Sequence, residues 1–358
     1  MCDMDMSDAI GQLLMVGIPH PTLDSETRET LHDLRPGGII LFARNYTDPE
    51  TLQTLCADLH SLQPDNPICI ALDHEGGRVH RLAPPFTHFP PALRLGETDS
   101  SQLAYEVGCA LGHELRRVGI DLDFAPVLDV FTNPHNTVIG DRAFGSDPQR
   151  VARLGCALTR GLRQAGIIPC GKHFPGHGAT TVDSHEDLPR DEREKDRIEN
   201  VDLVPFQAAI AEQIELIMTA HVVYPAYDPE QPASLSSIVM HNLLRQDLGF
   251  QGLIVSDDLE MGAITRRSSV GDATVQALGA GADLVLICQS LERACSAREA
   301  CQRALRLGML SATRLQESQQ RLLQLKQRFV ARPGAEIRPI GAPEHQALAA
   351  EILRQANG

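Results

Sequence analysis

The feature of this sequence that most constrains its fold is a series of short apolar runs separated by amphipathic segments of helical length. The eight runs are residues 14–18, 38–42, 69–72, 122–128, 167–173, 216–221, 253–256 and 284–288. Each run is bounded by glycine, proline or polar residues, which is typical of a strand buried on both faces. We therefore predict eight parallel strands.

Helical patterns fill the gaps between the runs. The segments 48–62 and 147–165 both open with Asp-Pro, which is an N-cap followed by proline at the first helical position. The other predicted helices are 100–118, 200–213, 241–247, 272–278 and 291–305. This alternation predicts an α/β fold, a (β/α)8 barrel of the TIM type. A doubly wound open sheet is the alternative, but the Gly-x-Gly-x-x-Gly fingerprint expected after its first strand is missing.

Residues 1–310 are expected to form one catalytic barrel, with 311–358 as a helical tail packed on it. The tail helices are predicted at 311–330 and 344–355. Two connections are longer than a simple barrel needs, the proline-rich 81–100 and the polar 176–199. Long connections inside a compact fold are usually functional or disordered.

Composition excludes several classes of partner. The formal net charge of −15 disfavours nucleic acid and anionic membranes. No segment approaches the ~20 consecutive apolar residues of a membrane span, and the first ten residues lack the basic region of a secretory signal. The 9 cysteines are scattered without a C-x-x-C pair, which favours reduced thiols in a cytoplasmic protein.

In a barrel of this type, polar residues at the carboxyl ends of the strands converge on one mouth. A lone residue there is more often a cap or turn former than a functional group. Polar groups end five strands, the third to the seventh, and the sixth ends at His221. Five such groups on one rim are harder to dismiss, because each carries a desolvation cost unless it is paired or used. The strand-end residues that suit binding of vicinal hydroxyls or an anionic group are Asp73, Arg81, Arg142, Lys172 and His173.

Asp257 is the strongest candidate for catalysis. It follows a buried strand and lies near cationic groups, so it can be held ionised as a nucleophile for the anomeric carbon of a sugar; Asp258 is expected to cap the next helix. On the polar loop, Asp183 and His185 are two residues apart and point to the same side of an extended segment. Asp183 can therefore accept the ring N–H of His185 and raise its basicity, as in other acid/base pairs.

Two other classes of function remain open. His173, His177, Asp183 and His185 resemble metal ligands, although Pro175 and the neighbouring glycines indicate a loop instead of the H-E-x-x-H helix. A metal-dependent hydrolase is thus one alternative, and a catalytically silent sugar-binding barrel is the other. The preferred interpretation uses no metal and no cofactor.

The string Lys-His-Phe-Pro-Gly-His-Gly at 172–178, followed by Asp183-Ser184-His185, resembles the signature of family-three glycoside hydrolases. More narrowly, it is similar to the β-N-acetylhexosaminidase branch, the NagZ type. The segments 73–81, 140–144 and 256–261 also match, in the order of the family. The resemblance implies a (β/α)8 barrel that hydrolyses terminal non-reducing N-acetylglucosamine with retention of configuration.

The resemblance also implies roles for single residues. Asp257 corresponds to the nucleophile, His185 to the acid/base and Asp183 to its orienting partner, while the sugar-binding set is Asp73, Arg81, Arg142, Lys172 and His173. The implied substrate is a 1,6-anhydro-muropeptide in cytoplasmic cell-wall recycling, and a single-domain monomer is expected. Because a neutral imidazole does not repel an anion, phosphate is conceivable as acceptor in place of water.

Overall fold

Eight parallel strands close into a barrel in this computed structural model, which describes residues 6–181, 184, 187–330 and 339–357. The strands are β1 Leu14–Gly17, β2 Gly38–Leu41, β3 Cys69–Leu72, β4 Leu122–Asp123, β5 Ile168–Phe174, β6 Leu216–Thr219, β7 Leu253–Asp258 and β8 Leu284–Ile287. Each strand pairs with its neighbours in the chain, and β1 closes the barrel against β8 with Leu14 opposite Val285. The predicted (β/α)8 architecture is confirmed.

Helices cover the outside of the barrel. The longer α-helices are Ser25–Leu34, Pro49–Ser61, Ala92–Thr98, Ser101–Arg117, Pro148–Gln164, Leu203–Ala211, Val270–Ala280, Leu291–Arg306, Ala312–Phe329 and Pro343–Ala356. Shorter α-helical turns are Met6–Gly11, Lys195–Arg197 and Gly262–Thr265; Ile198–Asp202 and Ile238–Asp247 are π-helical, and Ala43–Asn45, Gly140–Arg142 and Ala233–Leu235 are 3₁₀ turns. In the part of the chain described here, no helix combines the length and apolarity needed to cross a bilayer.

Two helices begin at the aspartate N-caps predicted from the sequence. Asp48 accepts the N–H of Thr51 at 2.8 Å, and Asp147 accepts the N–H of Gln149 at 3.0 Å. Each aspartate is followed by a proline at the start of its helix, where the missing N–H costs nothing because it would have no partner inside the helix. The two Asp-Pro helix starts are confirmed.

Several elements differ from the predictions. Strand β4 ends at Asp123, five residues early, because Pro126 has no N–H to continue the ladder. The helices Ser25–Leu34 and Ala92–Thr98 and a small antiparallel hairpin, Val223–Tyr224 with Asp228–Pro232, were not predicted. The helix after the polar loop begins at Lys195, within the segment predicted as loop.

The core has two layers, as alternation along the strands requires. Side chains such as Met15, Ile40 and Leu122 fill the barrel interior. The alternate positions, including Leu14 and Ile39, pack against the surrounding helices. The interior is therefore a packed core, and polar groups are left to gather only at its ends.

The helix Ala312–Phe329 closes the bottom of the barrel. Leu322, Leu325 and Phe329 join the interior cluster from below. Lys326 is buried beside them, and its Nζ donates to Gln12 Oε1 at 3.0 Å. Burial lowers the pKa of Lys326 to about 8.

The last helix, Pro343–Ala356, packs Ala349 and Ile352 into the core and is also linked to the barrel by a buried carboxylate, that of Glu114. Glu114 accepts the N–H and the hydroxyl of Thr87 at 2.8 and 2.7 Å, the N–H of Gly341 at 3.1 Å and His345 Nδ1 at 2.7 Å. Burial alone would raise the pKa of Glu114, but the hydrogen bonds from His345 and Thr87 outweigh it and leave the pKa below its ordinary value. This carboxylate therefore joins the tail to the connection that follows β3.

We predict that Glu114→Gln lowers the free energy of unfolding at pH 7 by about 2 kcal/mol, because an amide NH₂ would face groups that already donate. A carboxylate with a depressed folded pKa stabilises above its unfolded pKa, and this is lost as pH falls through the folded pKa. The difference in the free energy of unfolding between wild type and variant should therefore be smaller at pH 4 than at pH 7, and urea titrations at these two pH values would measure it. Glu29→Gln, at an exposed position, is the control, and a gap that stays constant with pH would contradict the assignment.

Candidate active site

One cavity of about 500 Å³ opens at the carboxyl ends of the barrel strands. Its lining includes six of the residues singled out from the sequence: Asp73, Arg81, Arg142, Lys172, His173 and Asp257. The other two, Asp183 and His185, lie outside the described residues. Ser184, which stands between them in the sequence, also lines the cavity.

Lys172, on β5, is the centre of a buried charge cluster. Its Nζ lies 2.6 Å from Asp73 Oδ1 and 2.7 Å from Glu75 Oε1, and the residue is 2% exposed. Arg142 makes a two-pronged contact with the same Glu75, Nε to Oε2 at 2.9 Å and Nη2 to Oε1 at 2.8 Å. Two cations thus face two carboxylates, so the cluster is balanced in charge.

Electrostatic interactions hold Glu75 and Lys172 in their charged forms. Burial by itself would raise the pKa of Glu75, but Arg142 and Lys172 outweigh it and hold the pKa well below its ordinary value. Burial would lower the pKa of Lys172, and Asp73 and Glu75 raise it above its ordinary value instead. Glu75 was missed in the sequence, where the only signal was its position two residues after Asp73, on the same side of an extended segment.

His173 is oriented by Asp129, a second residue to which the sequence gave no role. Asp129 Oδ2 lies 2.7 Å from His173 Nδ1, and its Oδ1 accepts the backbone N–H of His177 at 2.6 Å. Burial opposes ionisation of Asp129, but the two histidines outweigh it, and the pKa of Asp129 lies below its ordinary value. With Nδ1 engaged, Nε2 is the ring atom of His173 that can bond a ligand.

Asp257 lies at the end of β7 and is partly exposed in the cavity. Its Oδ1 accepts the backbone N–H of Asp258 at 2.8 Å. Burial would raise its pKa, but electrostatic interaction with His221 and His173, the Asp258 N–H and Lys172 together leave the pKa below its ordinary value. The carboxylate is therefore ionised at neutral pH, as a nucleophile has to be.

The sequence that forms this barrel and its charged groups is similar to proteins of a known family. The chain matches the family described as "Glycosyl hydrolase family 3 N terminal domain" over residues 5–325. A curated relative from Thiobacillus denitrificans, named β-hexosaminidase, is 43% identical over 287 residues, which is 78% of this chain and 79% of the relative. The chain belongs to glycosyl hydrolase family 3. It is therefore a glycoside hydrolase, and carbohydrate is its substrate class.

Two solved structures show the same family 3 barrel. A β-N-acetylglucosaminidase from Paenibacillus sp. str. FPU-7 superposes with a TM-score of 0.94 at 39% identity, covering 99% of this chain and 69% of that one. NagZ from Neisseria gonorrhoeae, solved in complex with N-trifluoroacetyl-D-glucosamine, gives a TM-score of 0.81 at 36% identity, covering 96% of this chain and 98% of that one.

Arg81 has bonding capacity to spare in this family 3 site. Its Nη2 lies 3.8 Å from Asp73 Oδ2, too far for a hydrogen bond. Its Nε is buried and has no hydrogen-bond acceptor among the described residues. A buried donor without a partner is costly, so an acceptor oxygen from a bound ligand would complete this position.

Ser184 marks where the polar loop meets the mouth of the barrel. Its carbonyl accepts the N–H of Ala263, in the turn after β7, at 3.2 Å, and its hydroxyl lies 3.3 Å from His177 Nε2. Burial lowers the pKa of His177 to about 4, so this ring is neutral at pH 7. The loop is thus anchored at Ser184 beside the strand that carries Asp257.

No group of three or more metal-binding side chains occurs within the described residues. His173 and His177 instead use ring nitrogens on Asp129 and Thr180, at 2.7 Å in both cases. Asp183 and His185, which the metal hypothesis also requires, lie outside this part of the chain.

The pKa of Asp258, the next residue after Asp257, is shifted in the opposite direction. Its Oδ1 accepts the N–H of Glu260 at 3.0 Å and that of Cys288, beyond β8, at 3.2 Å. Burial, together with repulsion from Glu260 and Asp257, raises the pKa of Asp258 to about 7. The expectation that Asp258 caps the next helix is wrong, because the helix begins at Gly262 and Asp258 bonds β7 to β8 instead.

We predict that Asp258→Asn changes how stability depends on pH. A carboxyl whose folded pKa is raised stabilises below its unfolded pKa, and this contribution is lost as pH rises through the folded pKa. Wild type should therefore lose about 1 kcal/mol more than the variant between pH 4 and pH 8, discounted for partial exposure. Urea denaturation at several pH values measures this difference, and two parallel curves would contradict the raised pKa.

Proposed function

We propose that this chain is a retaining, exo-acting β-N-acetylglucosaminidase. The observation that carries the proposal is that Asp257 is held ionised in the same cavity as the Lys172 cluster and His173, in a family 3 barrel. The name of the curated relatives, β-hexosaminidase, describes this enzyme class. The roles of Asp257 and of the sugar-binding groups are supported by the chemistry of this cavity, and those of His185 and Asp183, with the linkage and configuration, by the sequence resemblance to the family.

The cavity suits one terminal sugar residue. Asp73 presents a carboxylate that can accept hydrogen bonds from sugar hydroxyls. The ammonium group of Lys172 beside it is already neutralised by Asp73 and Glu75, so we expect it to act as a positioned hydrogen-bond donor and not as a binding site for an anion. His173 Nε2 and Arg81 Nε add directional groups on other strands. Fixed polar groups of this kind bind hydroxyls without rearranging, which favours binding of the distorted sugar in the transition state.

The proposed reaction has two displacements. Asp257 attacks the anomeric carbon, while the His185 imidazolium protonates the leaving glycosidic oxygen, and a covalent glycosyl-enzyme forms. Neutral His185, oriented by Asp183, then takes a proton from water, which attacks the same carbon and releases Asp257. Two inversions give net retention. An imidazole suits the acid/base role because its ordinary pKa of ~6.5 lies close to working pH.

The proposed natural substrate is a muropeptide with terminal N-acetylglucosamine on 1,6-anhydro-N-acetylmuramic acid, cleaved by a cytoplasmic monomer in cell-wall recycling. The likeness to NagZ of Neisseria gonorrhoeae supports this choice. Buried cysteines of the described residues, such as Cys56, Cys170 and Cys301, are free thiols, in agreement with a reducing compartment. Digestion of a purified anhydro-muropeptide, with the products identified by mass spectrometry, tests the substrate, and added phosphate tests for a glycosyl phosphate product.

Removal of the nucleophile tests the centre of the proposal. We expect Asp257→Ala to lower kcat on an aryl β-N-acetylglucosaminide by at least about 10⁴-fold, with N-acetylglucosamine still bound, since the covalent step is lost. A fluorinated N-acetylglucosaminyl fluoride should label wild type at Asp257, shown by peptide mapping. Asp65→Asn, an exposed aspartate before β3, is the control. Label on another residue, or wild-type turnover by Asp257→Ala, would exclude this nucleophile.

Leaving-group dependence tests the acid/base. We expect His185→Ala to slow substrates with poor leaving groups much more than activated aryl substrates, because only poor leaving groups need protonation. His241→Ala, at an exposed position on the outer π-helix, should leave both rates unchanged. Equal losses on the two substrates would remove His185 from the acid role, and product NMR during turnover tests retention directly.

A further inference from the structure

His221, just beyond the end of β6, is fully buried and has so far been described only as an electrostatic neighbour of Asp257. We propose that His221, held by Ser234, is a positioning residue for the nucleophile and acts through the backbone of Asp258. This inference rests on the proposed role of Asp257. It assigns a task to a strand-end histidine and to the hairpin that follows β6.

The contacts form a continuous chain of hydrogen bonds. Ser234 Oγ lies 2.6 Å from His221 Nδ1, and His221 Nε2 lies 2.8 Å from the carbonyl oxygen of Asp258. The N–H of the same Asp258 donates to Asp257 Oδ1 at 2.8 Å. His221 therefore holds the residue whose backbone aims the nucleophilic carboxylate.

The partners fix the orientation of the imidazole. A carbonyl oxygen only accepts, so His221 Nε2 carries a proton and donates it to Asp258. The Ser234 hydroxyl can donate to Nδ1 or accept from it, so the ring is held in the same place in either protonation state. Since Ser234 and His221 are both fully buried, water does not compete for either bond, and one ring orientation is favoured.

The hairpin after β6 delivers Ser234 to this position. After Asp228–Pro232 the chain returns to β6, where the N–H of Ser234 donates to the carbonyl of Ala220 at 3.1 Å and that of Ala233 to Val222 at 2.9 Å. From the opposite side, the Asp258 side chain accepts the N–H of Cys288 at 3.2 Å. Asp258 is thus held by its backbone carbonyl on the β6 side and by its side-chain carboxylate on the β8 side.

Fixing this backbone matters because nucleophilic attack depends on small distances. A misplacement of ~1 Å at a reacting atom costs about 100-fold in rate. His221 also interacts electrostatically with Asp257, in the direction that favours its ionised form. Loss of the imidazole should therefore weaken bond formation at the anomeric carbon while leaving the sugar-binding groups on β3 and β5 in place.

The test measures the rate constant for labelling of Asp257 by the fluorinated glycosyl fluoride. We expect His221→Leu to lower this constant about 100-fold, with the inhibition constant of N-acetylglucosamine changed by less than about 3-fold. His221→Gln keeps an amide N–H toward Asp258 and should recover about 10-fold of the loss. Ser234→Ala should lower the constant about 5-fold, and Ser237→Ala, an exposed serine three residues on, should match wild type.

Each outcome bears on the inference. Labelling by His221→Leu at the wild-type rate, or a loss of thermal stability with unchanged labelling in Ser234→Ala and His221→Gln, would show a merely structural role and overturn it. If His221→Leu does not fold, the other two variants decide the question. Failure of wild type to label at Asp257 would instead refute the proposed function, so the two failures are distinguishable.

Discussion

The arrangement of charged side chains at the mouth of this barrel depends on one buried ammonium group. Lys172 on β5 lies between Asp73 and Glu75, both beyond β3, and Arg142 completes the balance through Glu75. Taking any of these charges out of water alone would be prohibitive, so the four groups are tolerated only together. Because the four groups come from three different segments of the chain, the cluster also fixes the relative positions of these segments. It leaves a polar surface that needs no rearrangement to bind a sugar.

Two adjacent carboxylates at the end of β7 show how position decides chemistry. Asp257 lies within reach of His221, His173 and Lys172, which favour its charged form. Asp258 is buried beside Glu260 and Asp257, which disfavour its charge. Paired titratable groups with environments that push their pKa values apart are a recurrent arrangement in active sites. Here Asp258, the neighbour of Asp257, serves as a bridge between β6, β7 and β8.

The sequence predicted the barrel because the apolar runs and the Asp-Pro caps are local signals. The elements that it missed have weaker local signals, such as the mostly polar helix Ser25–Leu34 and the hairpin Val223–Tyr224 with Asp228–Pro232. Six site residues predicted from strand ends line one cavity, since parallel strands in a barrel direct their carboxyl ends to the same face. The roles assigned to Asp183 and His185 stay predictions, because the structure does not describe these two residues.

The sequence by itself determined the architecture and the face of the barrel on which polar groups gather, because hydrophobic periodicity and chain direction are properties of short segments. Only the tertiary structure decided which charges pair. Glu75 with Lys172, Asp129 with His173, and Ser234 with His221 are contacts between residues on different strands and connections. The charge state and the orientation of each side chain follow from its burial and from these partners. Burial and the partners arise only when the barrel closes, because they join residues that are distant in the sequence.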